Sequence, residues 1–419
     1  GLVVARELYL AGVKVSIWCP FSLNKSLTKK HLLHSNWLGI EELENEPDPS
    51  KEQLWIEALF GIGQNRPLPK TIVDLLAKRH QKQPGNLISL DVPAGICSDS
   101  GAAFNNQAAK ASYTLTVGFI KQGLIQDIAL DYVGQLVRID FGFSEVALNQ
   151  LSNNNCSLRI YSKDLDYFRW PQLSSKSTKY ERGKVLAIAG SDQYRGAALL
   201  ALQGVLSSGV GSVQACLPPL IADSLWQCLP EVVVKDILVT SNDGSGSARL
   251  KNCLQKINLD KYDSLLVGPG LGWSKEKWSD ECTDLENFSG LLVLDADALN
   301  RIASSEKGWE WLKRRNGHTW ITPHVGEFQR LFPEIDCSVP IQAALKAACL
   351  CEVTVLLKGA NTVIATPAGE VWQITETAPW VARTGLGDVL AGFVAGVGAM
   401  GMTSKNEIHG SLLAACALM

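Results

Sequence analysis

What most narrows the fold of this chain is an alternation. Short apolar, β-branched runs, each closing on glycine or polar residues, are separated by stretches with helical periodicity. From residue 183 onward the runs are "GKVLAIAGS", "GSVQACLP", "YDSLLVGPGLG", "SGLLVLDADALN", "TWITPHVGEF", "VTVLLKGANTVIATP" and "EVWQIT". Parallel strands joined by crossover helices produce this pattern, because a strand buried on both faces reads as a continuous apolar run and the return to a parallel neighbour needs a helix. Ligands of such open sheets sit outside the carboxyl ends of the strands. Those ends here read Gly190-Ser191-Asp192, Gly268-Pro269-Gly270-Leu271-Gly272, Asp295-Ala296-Asp297, Thr322-Pro323-His324, Lys358-Gly359-Ala360-Asn361-Thr362 and Gly385-Leu386-Gly387-Asp388. Any one of them is as readily a structural turn; together they predict one polar rim.

The first part of the chain repeats the pattern with "VKVSIWC", "LWIEALFG", "NLISLDVP", "YTLTVGF" and "QLVRIDFG", so a second α/β unit is expected there. Ahead of these, "GLVVARELYLAG" has helical spacing at Val4, Leu8 and Leu10 and a stop at Gly12, so the chain enters that unit part-way, as a fragment would. The Asn/Ser cluster from Leu151 to Ser157 has linker chemistry, which sets the expected domains at 1–150 and 160–419. With 419 residues, 46% hydrophobic and 19% charged, each domain can bury its own core. A net charge of -3 without a long Lys/Arg run argues against a nucleic-acid partner. Val389 to Met402, the longest apolar run, falls short of the roughly 20 residues of a bilayer span, and no signal peptide opens the chain, so no membrane association is expected. The 11 cysteines contain no C-x-x-C pair, which fits reduced thiols in the cytoplasm better than disulfides or zinc, and the 12 scattered tryptophans fit packing better than a stacking platform.

The sharpest local signal is "VARTGLGDVLAGFVAG", Val381 to Gly396, where Asp388 follows a glycine turn and precedes a small-residue helix. The first N–H groups of a helix have no partner within it and, with the helix dipole, attract an anion such as a phosphate. Asp388 therefore either caps the helix or acts as a general base beside a phosphate cradle, taking a proton from a hydroxyl as it attacks phosphorus. His324 either satisfies local backbone groups or binds ligand. Glu327, three residues later, either caps the helix "GEFQRLF" or assists a magnesium ion. Asp295 and Asp297 alternate in "LDADALN", so at most one of them is expected to face the site.

Taken in order, "GKVLAIAGSDQYRGAALLA", "LLVGPGLG", "VLDADALN", "TPHVGEF", "LKGANTVIATPAG" and "GLGDVLAG" resemble the ADP/ATP-dependent NAD(P)H-hydrate dehydratases, which have a ribokinase-like α/β fold. "GLVVAR", "IEALFGIG", "LDVPAGICSDSG", "TLTVGFIKQGL" and "DYVGQLVRIDFGF" resemble the Rossmann-like, three-layer NAD(P)H-hydrate epimerase domain often fused ahead of them. The resemblance implies an enzyme that repairs hydrated nicotinamide cofactors. In such enzymes the hydroxyl on the reduced nicotinamide ring of the S epimer is phosphorylated by ADP or ATP and expelled as phosphate, and with ADP the other product is AMP. Carried over residue by residue, Asp388 is the base, and Ala197, Gly270, His324 and Asp388 bind NADH or NADPH hydrate. Lys358, Gly359, Ala360, Asn361, Thr362 and Gly387 bind the nucleotide, with Mg2+ as its companion and Glu327 as a candidate ligand.

In the first domain the resemblance implies a substrate site at Gly61, Ile62, Gly63, Gln64, Asn65, Arg66, Pro67 and Asp91, and a K+ site. That K+ site is expected to be degraded, because Glu57 stands where the family has Asp and Ala94 where it has Ser. The family's Asn-rich phosphate loop would lie just before Gly1, so epimerase activity of this chain is expected to be impaired. Leu386 replaces the usual Thr or Ser, but a cradle built from backbone tolerates that. A homo-oligomer in the cytoplasm, with no nucleic-acid or membrane partner, completes the expectation. Two other readings stay open: a vitamin-precursor hydroxymethyl or hydroxyethyl kinase of the same fold, and a dinucleotide-sensing protein without catalysis.

Overall fold

The computed structural model describes residues 1–144, 146, 157–172, 174–241, 245–376, 379–404 and 408–419. Two compact units, Gly1–Glu145 and Val146–Met419, emerge from the chain. Apart from Ser157, the expected Asn/Ser linker lies outside the described residues.

The smaller unit begins with helix α1 (Leu2–Leu10), stopped at Gly12, and the two-residue strand β1 (Ser16–Ile17). The run "VKVSIWC" thus yields far less strand than expected, and Pro20 helps to end it. β1 pairs in parallel with β2 (Glu41–Glu42), which follows helix α2 (Ser26–Trp37). The main sheet is β3 (Trp55–Glu57), β4 (Leu87–Leu90), β5 (Tyr113–Val117) and β6 (Gln135–Ile139), all parallel and adjacent in chain order. Helix α3 (Lys70–Lys82) buries Ile72, Leu75 and Leu76, which are spaced three and four residues apart as one helical face requires.

The larger unit is built on ten strands. In chain order they are β7 (Leu158–Ile160), β8 (Lys184–Ile188), β9 (Ser212–Leu217), β10 (Val233–Ile237), β13 (Ser264–Val267), β14 (Leu291–Leu294), β15 (Thr319–Ile321), β16 (Thr354–Leu357), β17 (Val363–Ala365) and β18 (Val371–Ile374). A separate hairpin, β11 (Val239–Thr240) with β12 (Ala248–Arg249), intervenes. Spatially the sheet runs β10-β9-β8-β13-β14-β15-β16-β17-β18-β7. Order reverses between β8 and β13, so their carboxyl ends flank the crevice where doubly wound sheets bind ligands. β17 departs from the expected parallel sheet by running antiparallel to β16 and β18. The short turn between β16 and β17 allows no other direction, since a parallel return needs a crossover.

Successive residues of the central strands feed opposite cores. Leu186, Ile188, Leu292 and Leu294 belong to one buried cluster, and Val185, Ala187, Leu291 and Val293 to the other. Complete burial of each such Leu, Ile or Val stabilises the fold by about 1.5–3 kcal/mol relative to exposure. The second face is covered by α4 (Arg195–Ser207), α8 (Leu386–Thr403) and α9 (Gly410–Leu418), while α5 (Asp297–Ala303), α6 (Val325–Leu331) and α7 (Pro340–Cys351) pack on the first. Small residues in α8 permit backbone contact with α4: a Cβ on Gly392 would lie 1.9 Å from the Ala201 carbonyl oxygen. α8 is 18 residues long and apolar enough to cross a membrane by length and composition alone, longer than the sequence suggested. Here it is a core helix packed on α4, β13 and β14. The described cysteines are free thiols, and Cys349 and Cys351 lie on helix α7.

Candidate active site

Asp388 stands in the first turn of α8, behind Gly385 at φ 87°. Glycine suits Gly385 because this φ strains any residue that carries a side chain. Among the described residues the Asp388 carboxylate takes no side-chain hydrogen bond, so capping does not occupy it. Burial lifts its pKa to about 6, with Asp295 and Asp297 adding to the effect and Lys358 opposing it. A carboxylate tuned this way is charged at neutral pH yet more basic than an ordinary aspartate.

Lys358 ends β16 and brings a cation to the same place. Its Nζ donates to Asp295 Oδ1 at 2.8 Å, and the side chains are 21% and 2% exposed. A Cβ on Gly387 would lie 3.3 Å from Nζ, so the ammonium borders the glycine turn that leads into α8. Burial works against the charge of Lys358, but Asp295, Glu327 and Asp388 outweigh it and hold the amine above the usual lysine range. Thr322 Oγ1 also donates to Asp295 Oδ1, at 2.9 Å. The rim therefore presents a fixed positive charge next to an orphaned helix N-terminus, an arrangement suited to a phosphoryl group.

The loop Gly268–Gly272 forms the neighbouring wall. Gly270, at φ 65°, packs so closely on the start of α4 that a Cβ would lie 2.7 Å from Tyr194 O and 2.8 Å from Ala197 Cβ. The structure thus brings together the sequence-predicted pair Gly270 and Ala197. Both carboxylates of "LDADALN" belong to the rim, contrary to the expectation of one at most: Asp295 holds Lys358, and Asp297 Oδ2 accepts from Gly272 N at 2.8 Å. β14 stops at Leu294 and Ala296 adopts φ 48°, so strand alternation does not govern the two aspartates.

His324 and Glu327 form a capping box at α6. His324 Nδ1 accepts from Gly326 N at 2.9 Å and Glu327 N at 3.3 Å, while Glu327 Oε2 accepts from His324 N at 2.9 Å. The ring remains 52% exposed, with Nε2 3.3 Å from Glu327 Oε1. Burial and the cations Lys358 and Arg330 lower the His324 pKa, keeping the ring neutral as its acceptor role requires. Burial raises the Glu327 pKa against the pull of Lys358. His324 also bridges in parallel to Lys358, which places it beside the pair. The remaining turn residues follow Lys358, with Gly359 and Ala360 exposed, Asn361 buried, and Thr362 Oγ1 donating to Gly359 O at 3.3 Å.

In the smaller unit the predicted residues gather at the carboxyl ends of β3 and β4. Gln64 staples the loop Gly61–Pro67 to the turn after β4: its Oε1 accepts from Gly95 N at 2.7 Å and its Nε2 donates to Gly61 O and Pro93 O at 3.3 Å. Ile62, Gly63, Asn65, Arg66 and Pro67 are exposed. Asp91 adopts φ 70° and pairs with Lys121, which also reaches Thr116 and Val117. Glu57 is buried, with Oε1 accepting from Leu59 N at 2.7 Å and Oε2 from Ala94 N at 3.1 Å. Burial pushes its pKa up to about 7. Among the described residues no three His, Cys, Asp or Glu side chains converge as a metal site.

Three pairings were not legible in the sequence: Lys358 with Asp295, Asp91 with Lys121, and the buried Arg301 with the carbonyls of Leu271 and Gly272. "DADALNR" offered a clue to the last, since Asp297 and Arg301 lie one helical turn apart.

Comparison with known proteins gives consistent matches. Residues 185–417 match the family described as NAD(P)H-hydrate dehydratase, and residues 1–123 match the family described as YjeF-related protein N-terminus. The bifunctional NAD(P)H-hydrate repair enzyme of Gloeobacter violaceus is 37% identical over 94% of this chain and 76% of its own length. Its namesake from Synechocystis is 36% identical over 95% of this chain and 74% of its own length. A ribokinase-like superfamily protein from Enterococcus faecalis superposes with a TM-score of 0.51 at 22% identity, covering 62% of this chain and 85% of that one, a likeness of fold.

Proposed function

The chain belongs to the bifunctional NAD(P)H-hydrate repair enzymes, and from that premise we propose that its larger unit carries out the nucleotide-dependent dehydration of NADH and NADPH hydrates. One observation carries the assignment of chemistry to residues: the Asp388 carboxylate, without a hydrogen bond among the described residues and raised to about 6, at the head of α8 beside the Lys358 ammonium. Asp388 takes the proton of the ring hydroxyl as its oxygen attacks the terminal phosphorus of ADP. The N–H groups at the start of α8 and the ammonium of Lys358 stabilise the charge on the phosphoryl oxygens. AMP leaves from the turn Lys358–Thr362. The carbon–oxygen bond of the phosphate ester then breaks, phosphate departs with the electron pair, and loss of a proton from the adjacent ring carbon restores the dihydropyridine. Gly270 and Ala197 shape the wall against which the hydrated dinucleotide lies, with the neutral His324 ring at its edge.

Glu327 does not fit as a magnesium ligand, because its oxygens serve the helix cap and His324; a magnesium ion brought by the nucleotide supplies further charge neutralisation to the phosphates. The smaller unit keeps the epimerase-type loop and Asp91. Its residues do not fit a K+ ion: both Glu57 oxygens face backbone N–H donors, and Ala94 offers no hydroxyl.

Offering the protein ADP or ATP together with either the S hydrate or a hydroxymethyl or hydroxyethyl vitamin precursor tests the reading. AMP or ADP should form only with the hydrate. Phosphorylation of the precursor alone would select the rival kinase, and binding without turnover the sensing protein.

A further inference from the structure

Arg301 lies on α5, 1% exposed, one turn beyond Asp297, and takes no part in the chemistry above. Its guanidinium ties the Gly268–Gly272 loop to β12 and to Glu281. Nε donates to Gly272 O at 2.9 Å, and Nη2 donates to Leu271 O at 2.9 Å and to Ala248 O at 2.8 Å. Nη1 meets Glu281 Oε2 at 3.3 Å, and Glu281, also 1% exposed, accepts from Leu250 N through its other oxygen. Since Asp297 accepts from Gly272 N, a single helix holds both polar groups of the Gly272 residue.

The rest of the loop is tied as well. Pro269 O accepts from Gly190 N at 2.8 Å, Leu271 N donates to Gly268 O at 3.2 Å, and Leu271 O accepts from Ala248 N at 2.9 Å. Among the described residues the N–H and C=O of Gly270 alone in this loop find no hydrogen-bond partner. Buried backbone groups are nearly always paired, so an open peptide at a glycine pressed against Ala197 marks a place kept for a ligand.

We propose that Arg301 is a positioning residue for the dinucleotide side of the site: by fixing Leu271 and Gly272 against α5 it sets how Gly270 is presented, and hence the affinity for hydrated NADH or NADPH, without touching either. Planarity and a fork of donors are what let one side chain serve three carbonyls, which lysine cannot reproduce. The inference rests on the proposed function, and its test separates the two.

Two variants suffice. Arg301→Lys keeps a cation opposite Glu281 but cannot reach all three carbonyls. R301M combined with E281Q removes the ion pair as a unit, so that no buried charge is left alone. In each folded variant KM for the hydrate should rise on the order of ten-fold, while KM for ADP and the acid limb of the pH profile stay as in the parent. Hydrate KM within two-fold of the parent, a parallel rise in both KM values, or failure of both variants to fold overturns the proposal. A parent that does not turn over the hydrate refutes the proposed function instead. Binding of NADPH, followed by nicotinamide fluorescence, then decides the inference: about ten-fold weaker binding by the variants supports it, and equal binding, or none by the parent, overturns it.

Discussion

Replacing Asp388 by Asn should slow the enzyme and stabilise the fold at the same time. The amide keeps the shape of the side chain but cannot accept the hydroxyl proton, so turnover should drop by about 10² or more, the usual contribution of a general base. The stability effect follows from burial. In the folded protein this carboxyl titrates near 6 against 3.8 ordinarily, so ionising it there is costly. The difference corresponds to roughly 3 kcal/mol for a wholly buried group, and to about 1–2 kcal/mol once solvent screening of a half-buried one is allowed for. Because the folded value lies above the unfolded one, the cost is complete above about pH 6 and absent below 3.8. Asp388→Asn should therefore melt a few degrees higher than the parent at pH 8 and together with it near pH 4. The kcat/KM of the parent should climb with pH through about 6 and level off, while the residual activity of the variant shows no such limb. Turnover within a few-fold of the parent, or an acid limb that survives the substitution, would refute the assignment of the base. Equal melting at pH 8 would refute the account of its burial.

Three further outcomes are expected. Gly387→Ala, which would set a Cβ 3.3 Å from Lys358 Nζ, should raise the dissociation constant for ADP in calorimetric titration and leave hydrate binding nearly intact, as should Gly359→Val in the adjoining turn. Lys358→Met strands the Asp295 carboxylate and should cost about 3 kcal/mol in denaturant unfolding, most of it regained when Asp295→Asn is added. Exchanging potassium for a bulky organic cation should change neither the melting curve nor the conversion of the R hydrate, which should proceed at the spontaneous rate of epimerisation; a potassium-stimulated rate would falsify the reading of Glu57 and Ala94.

Much of the candidate site's layout was readable because sheet topology turns sequence position into place. Asp388, Gly270 and the turn beginning at Lys358 each follow an apolar run or a glycine turn, and a doubly wound sheet gathers such ends on one rim. What stayed hidden depends on which strands become neighbours and on single dihedral angles. The pairing of Lys358 with Asp295 joins residues 63 apart in sequence, through the intervening β15. Positive φ at Ala296 turns both aspartates of "LDADALN" to use, which strand periodicity cannot foresee. The direction of β17 follows from a turn too short for a crossover. Both candidate roles of His324 and Glu327 draw on the same polar atoms, and it is the folded geometry that commits those atoms to closing the start of α6.

The most direct test of the account is a stoichiometric one. The purified S hydrate of NADPH is incubated with the protein and ADP, and the returning absorbance of the dihydropyridine is followed alongside AMP and phosphate. One AMP and one phosphate should form for each dihydropyridine restored, with no recovery without nucleotide. Absorbance that returns without AMP, or AMP that accumulates while the hydrate is untouched, would contradict it.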